Sequence, residues 1–121
     1  MKRMIICSIT LLLFSCSEKK TLSPSQTAEI VVESFYHGEK DKLEEYTTDE
    51  GYAYLSSIQA LFTVDKSSAV NFKVIQEVMD GDEVWIQYAT GYDPTPGVFK
   101  LVKEDGQWKV AHNGPRAKGP F

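Results

Sequence analysis

The sequence predicts an α+β domain in which N-terminal helices pack on a curved four-stranded antiparallel sheet. Three observations predict it. Apolar residues recur at helical spacing between positions 24 and 62, then switch to a period of two from position 70 onward. Two Asp-Gly pairs, Asp80-Gly81 and Asp105-Gly106, punctuate the second half as hairpin signals. The two periods do not alternate along the chain, and helices segregated from strands belong to the α+β class rather than to a parallel α/β sheet.

The first helix opens at Ser23, an N-cap with Pro24 at the first helical position and Gln26 placed to complete a capping box. Ala28, Val31, Val32, Phe35 and Tyr36 form its apolar face, and Gly38 ends it. A short helix is expected over Asp41 to Tyr46, with Leu43 and Tyr46 on one side. A third runs from about Asp49 to Phe62; Leu55, Ile58 and Phe62 share a face, Leu61 lies beside it, and Tyr52 and Tyr54 stand near its start.

Val70, Phe72, Val74 and Val78, alternating with Asn71, Lys73 and Glu77, predict the first strand. Val84, Ile86 and Tyr88 continue on the return strand, which turns Trp85 and Gln87 to the opposite face. Asp93-Pro94-Thr95-Pro96-Gly97 is a loop, because neither proline nor glycine suits a strand interior. Val98 to Lys103 forms a third strand, and Trp108, Val110 and His112 alternate along a fourth. The tail from Asn113 to Phe121, with two prolines and two glycines, is expected to be irregular.

The N-terminus has a different character. Lys2 and Arg3 precede an apolar run from Met4 to Phe14 that only Ser8 and Thr10 interrupt. That order is an export signal, and the run is shorter than the ~20 residues a membrane-spanning helix requires. It ends in Leu13-Phe14-Ser15-Cys16, which resembles a bacterial lipobox; Phe14 departs mildly from the small or aliphatic residue usual there. The resemblance implies that the Cys16 thiol receives a diacylglyceryl group, that a peptidase cuts before it, and that fatty acyl chains such as palmitate anchor the mature protein stably. The expected division is a signal peptide over residues 1–15, a polar tether over 16–22, the folded domain over 23–112 and the tail over 113–121.

Removal of residues 1–15 leaves 106 of the 121 residues, enough for one domain with a real core. Thirteen basic residues fall to eleven against seventeen acidic ones, a net charge of −6. With no stretch that concentrates Lys or Arg among aromatics, nucleic acid is not an expected partner. Cys7 leaves with the signal and Cys16 is acylated, so neither a disulfide nor a cysteine metal site is expected. Two histidines 75 positions apart, without clustered acids, do not make a metal-ligand set, and no phosphate loop or cofactor motif is present.

The order of elements resembles the nuclear transport factor 2-like superfamily, also called cystatin-like, and more narrowly a group of small bacterial lipoproteins with a domain of unknown function. Ser23-Pro24 opening a helix that ends Phe35-Tyr36-His37-Gly38 carries the resemblance, together with the charged segment Glu39 to Tyr46 and the closing hairpin Glu104-Asp105-Gly106-Gln107-Trp108-Lys109-Val110. It covers residues 23–112 and implies a helix-wrapped sheet around a cone-shaped cavity. It implies no single activity, because the superfamily includes isomerases, dehydratases, binding modules and assembly domains.

Catalysis in such a cone needs a titratable group in a shielded pocket. His112, His37, Tyr88 and Asp93 are the candidates, and no Asp or Glu takes an inward-phase position mid-strand. Each also has an ordinary structural explanation, as strand end, helix terminus, core residue and turn former. The aromatics are the stronger signal. Tyr52, Phe62, Tyr88 and Phe99, with His112, are expected to line or rim a pocket for a small apolar ligand or a protein segment. Trp85, out of phase with its neighbours, is expected to be exposed on the opposite sheet face as a contact surface for a partner or a homodimer.

Three readings of function stand: a non-catalytic binding module in the cell envelope, held to a membrane by lipid on Cys16; a small-molecule isomerase or lyase; and an inhibitor or immunity-type protein using loops 92–97 and 113–121. The first is preferred. Ser17, rather than Asp, after Cys16 favours the outer membrane where a cell has two.

Overall fold

The computed structural model describes residues 21–121. The chain runs α1 (Pro24–Tyr36), α2 (Lys40–Glu45), α3 (Asp49–Phe62), then β1 (Lys73–Asp80), β2 (Glu83–Ala89), β3 (Gly97–Glu104) and β4 (Gln107–Ala111). The strands form one antiparallel sheet in the order β1-β2-β3-β4. This is the helices-first α+β architecture that the switch of period predicts.

Local chemistry explains where α1 begins. The Ser23 hydroxyl accepts from the Gln26 backbone N–H at 3.2 Å, and the Gln26 side chain accepts from the Ser23 N–H at 2.9 Å. That reciprocal pair satisfies two otherwise orphaned donors. Ala28, Val31, Val32 and Phe35 then bury one face of α1 against Val84 and Ile86 of β2, Phe99 and Leu101 of β3, and Val110 of β4. Thr48 caps α3 by accepting from the Gly51 N–H at 3.0 Å. The link between α2 and α3 runs beside β4: the Val110 N–H donates to the Tyr46 carbonyl and the Thr48 N–H to the Val110 carbonyl, both at 2.9 Å. Among the described residues the core cluster runs from Ala28 to Val110, so domain 21–121 carries the whole of that cluster.

Three details differ from the sequence expectation. Asn71 has a left-handed φ of 57°, which breaks the extended backbone, so β1 starts at Lys73 and Val70 is a buried residue of the preceding loop. Ile75 is a bulge: Val74 pairs with Tyr88 but Gln76 with Gln87. The extra residue flips the phase, and Val78 therefore shares the Trp85 face instead of continuing the face of Val74. The first hairpin turns on Gly81-Asp82 between paired Asp80 and Glu83, one residue later than the Asp-Gly signal, because only Gly81 has positive φ. The second turns on Asp105-Gly106, both with positive φ, as the sequence indicates.

Trp85 requires a correction. It lies on the outer sheet face as its phase predicts, yet it is only 1% exposed. The irregular tail folds back across that face, and Gly119 lies against the indole ring. Trp85 is therefore a covered residue and not an exposed contact surface.

Candidate functional site

The helices and sheet diverge at the end marked by the close of α1, and a cleft of about 380 Å³ opens between them. Its apolar walls come from Val32 and Phe35 of α1, Leu55, Ile58 and Phe62 of α3, and Phe99 of β3. α3 can approach the sheet this closely at its start because Gly51 sits on the Val110 carbonyl, where a side chain would clash. Phe35 packs against Phe62 at a centroid distance of 5.8 Å, and Tyr88 against Phe99 at 4.8 Å. One aromatic pair thus joins the two helices and the other joins two neighbouring strands across the cleft walls.

Polar groups are few and unevenly placed. Tyr88 reaches in from β2 between Phe72 and Phe99. The residue as a whole is half-buried because one side faces the cleft, while its phenol sits deep. Burial is the main cause that holds the phenol's ionisation well above its ordinary range, and Tyr36 and Asp93 add to the effect. Tyr88 is consequently a neutral hydrogen-bond donor and not a base. Asp93, in the proline-rich loop, and His112 lie at the mouth, and both are exposed. β4 ends at Ala111, one residue before His112. Its imidazole meets Tyr54 edge-on at 5.0 Å, and Nδ1 accepts from the Gly114 N–H at 3.0 Å.

Of the residues the sequence singles out for a pocket or contact, the cleft brings together Phe62, Tyr88, Phe99 and His112. Tyr52 instead packs against the core behind it, and Trp85 is on the other side of the sheet. His37 lies at the end of α1 and contacts the Ser68 carbonyl through Nε2 at 3.0 Å. Among the described residues no three His, Cys, Asp or Glu side chains gather as a metal-binding group. Sequence reasoning missed Asn113, Gly114 and Ala117 of the tail as lining residues. The one available signal was Trp85 itself, since a large indole on an otherwise uncovered face calls for a cover.

The overall fold is similar to that of known structures. A Campylobacter jejuni protein described as an NTF2-like transpeptidase matches with a TM-score of 0.58 at 14% identity, over 75% of this chain and 99% of that one. The fold is nuclear transport factor 2-like. A second match comes from Thiobacillus denitrificans, a protein described as a calcium/calmodulin-dependent protein kinase type II association domain; the TM-score is 0.57 at 12% identity, over 78% of this chain and 95% of that one. At such identities the likeness is one of fold. No protein-family model and no curated protein sequence matches this chain.

Proposed function

We propose that the protein is a lipid-anchored component of the bacterial cell envelope whose folded part is a non-catalytic binding module, with the cleft receiving a small apolar ligand. The observation that carries this reading is the distribution of polarity in the cleft. Its walls are mostly aliphatic and aromatic, and the neutral Tyr88 phenol is the deeply buried polar group among them, with Tyr36, Tyr54 and Asn113 also in the lining. Such a lining suits an apolar body with one hydrogen-bond acceptor. It does not suit proton transfer, because the carboxyl and imidazole at the site, Asp93 and His112, are exposed to water rather than shielded. The basic start, apolar run and Cys16 of the N-terminal segment support the anchor; they lie outside the described residues. Ser17 supports delivery to an outer membrane where one exists.

The test uses the soluble domain 21–121, labelled with ¹⁵N and titrated with 2-naphthol, a neutral apolar bicycle carrying a hydroxyl. Saturable shifts of the Leu55, Ile58 and Phe99 amides are expected, and Ile58→Trp, which fills the cleft, should abolish them. Equal binding by both proteins, or none by the wild type, overturns the reading.

A further inference from the structure

The tail from Asn113 to Phe121 touches two places that the sheet separates. At the cleft mouth, Asn113, Gly114 and Ala117 form part of the lining. On the outer face, Gly119 presses on the Trp85 ring and Arg116 stands over it at 5.2 Å. The Arg116 guanidinium also donates to the Asp80 carboxylate at 3.0 Å, fastening the tail to the end of β1.

The two ends are held differently. Asn113 is fixed to β3: its Oδ1 accepts from the Lys100 N–H at 3.2 Å, and its Nδ2 donates to the Val98 carbonyl at 2.9 Å. Beyond it, Gly114 takes a left-handed φ of 69°. The backbone bonds further on, Gly119 N–H to the Arg116 carbonyl at 2.9 Å and Phe121 N–H to the Lys118 carbonyl at 3.2 Å, are turns within the tail, so they survive if it lifts. Docking rests on Arg116, on Gly119 and on the bond that the Asn113 Nδ2 donates to the Ala117 carbonyl at 3.0 Å. Both partners of the Arg116–Asp80 pair are about half exposed, and water screens such pairs strongly. Among the described residues, the buried Trp85 indole N–H has no hydrogen-bond partner, so undocking would return that donor to water.

We propose that residues 114–121 are a displaceable strap, hinged at Asn113, that closes on a ligand in the cleft, so that cleft occupancy and docking on Trp85 are coupled. This rests on the cleft being a binding site. A ligand touching Gly114 and Ala117 gains contacts only when the strap is down, and therefore favours the docked state. Linkage makes the effect reciprocal: the factor by which docking tightens ligand binding equals the factor by which ligand tightens docking.

The experiment reads both ends of the strap in domain 21–121. Exchange of the Trp85 indole N–H, distinguished from that of Trp108 by the Trp108→Phe variant, reports undocking; the 2-naphthol titration reports the cleft. Arg116→Ala, an exposed change that leaves the core intact, should speed Trp85 indole exchange by about threefold while 2-naphthol affinity stays near the wild-type value, because the docked state still predominates. Gly119→Val, whose branched side chain collides with the indole, should speed exchange by about tenfold or more and weaken 2-naphthol binding to the extent that it leaves the strap undocked, with its amide dispersion confirming the fold. Saturating 2-naphthol should slow indole exchange in the wild type. Wild-type exchange rates in both variants overturn the strap. Saturable 2-naphthol binding that leaves the wild-type indole exchange rate unchanged overturns the coupling alone and leaves the cleft reading intact. No saturable wild-type binding overturns the cleft reading and the coupling together, and is recognised by wild type and Ile58→Trp behaving alike.

Discussion

The Tyr88 side chain lies over Gly97, its partner across the β2–β3 ladder, so closely that a Cβ on Gly97 would stand 2.9 Å from Tyr88 Cε1 and nearer still to Cζ. The glycine is therefore part of the cleft, because it lets the phenol lie down against the sheet instead of projecting across the cavity. Gly97→Ala should destabilise the domain by about 1–3 kcal/mol, the range for forcing extra volume into a packed site. Urea denaturation of Gly97→Ala, Tyr88→Leu and the double variant checks this. Since the clash needs the distal ring atoms, most of the alanine penalty should vanish in the Tyr88→Leu background; strict additivity would refute the contact.

The same phenol predicts an alkaline response. Burial raises its folded-state ionisation above the ordinary value of 10.0. A raised group contributes stability that is fully present below the unfolded value and is lost as pH climbs above it. Stability should therefore be insensitive to Tyr88 below about pH 9 and should fall from about pH 10 upward more steeply in wild type than in Tyr88→Phe. Absorbance titration of tyrosinate should show one of the six tyrosines ionising only as the domain unfolds. Parallel stability–pH curves for the two proteins would contradict this.

Much of this architecture is legible in the sequence because it is locally encoded. Ser23, Pro24 and Gln26 specify the start of α1 whatever surrounds them, and Asp105-Gly106 specifies its turn by backbone preference alone. Ile75 shows where local reasoning stops. Nothing in its side chain marks a bulge, which is decided by how β1 must bend to follow β2, and one inserted residue moves Val78 to the other face. Four of the six pocket candidates converge: Tyr88 and Phe99 because aromatics paired on neighbouring strands face one cavity, Phe62 from the apolar face of α3, and His112 just beyond the end of β4. Trp85 went astray for the opposite reason. Phase gives the face but not the exposure, which a tail without secondary structure determines through Gly119 and Arg116.

Gln59 is the polar residue on which the helical layer turns. It is 1% exposed, its Nε2 donates to the Ser34 and Phe35 carbonyls at 3.1 and 3.2 Å, and its Oε1 accepts from Lys40 Nζ at 3.0 Å. It joins α3 to the last turn of α1 beside the cleft wall. Gln59→Leu keeps the bulk but leaves two carbonyls without that donor, and should cost about 1–3 kcal/mol. Lys40→Ala, which removes only an exposed partner, should cost well under about 1 kcal/mol. Chemical denaturation of the two variants gives the comparison, and equal losses would show that Gln59 does not act through the buried carbonyls.

Cys16 makes the address of the protein testable apart from the fold. Full-length protein expressed in a bacterium should fractionate with membranes, and the peptide starting at Cys16 should carry the mass of its acyl chains. Cys16→Ser removes the thiol nucleophile, so acylation should be lost. Cys7→Ser should change neither property if, as proposed, Cys7 leaves with a cleaved signal peptide. Among the described residues no helix is long and apolar enough to cross a membrane. Stable retention requires at least two chains, since a single acyl chain binds only marginally, with an association constant of about 10⁴ M⁻¹. A mass showing fewer than two chains would contradict a lipobox-type anchor even if the protein still pelleted with membranes.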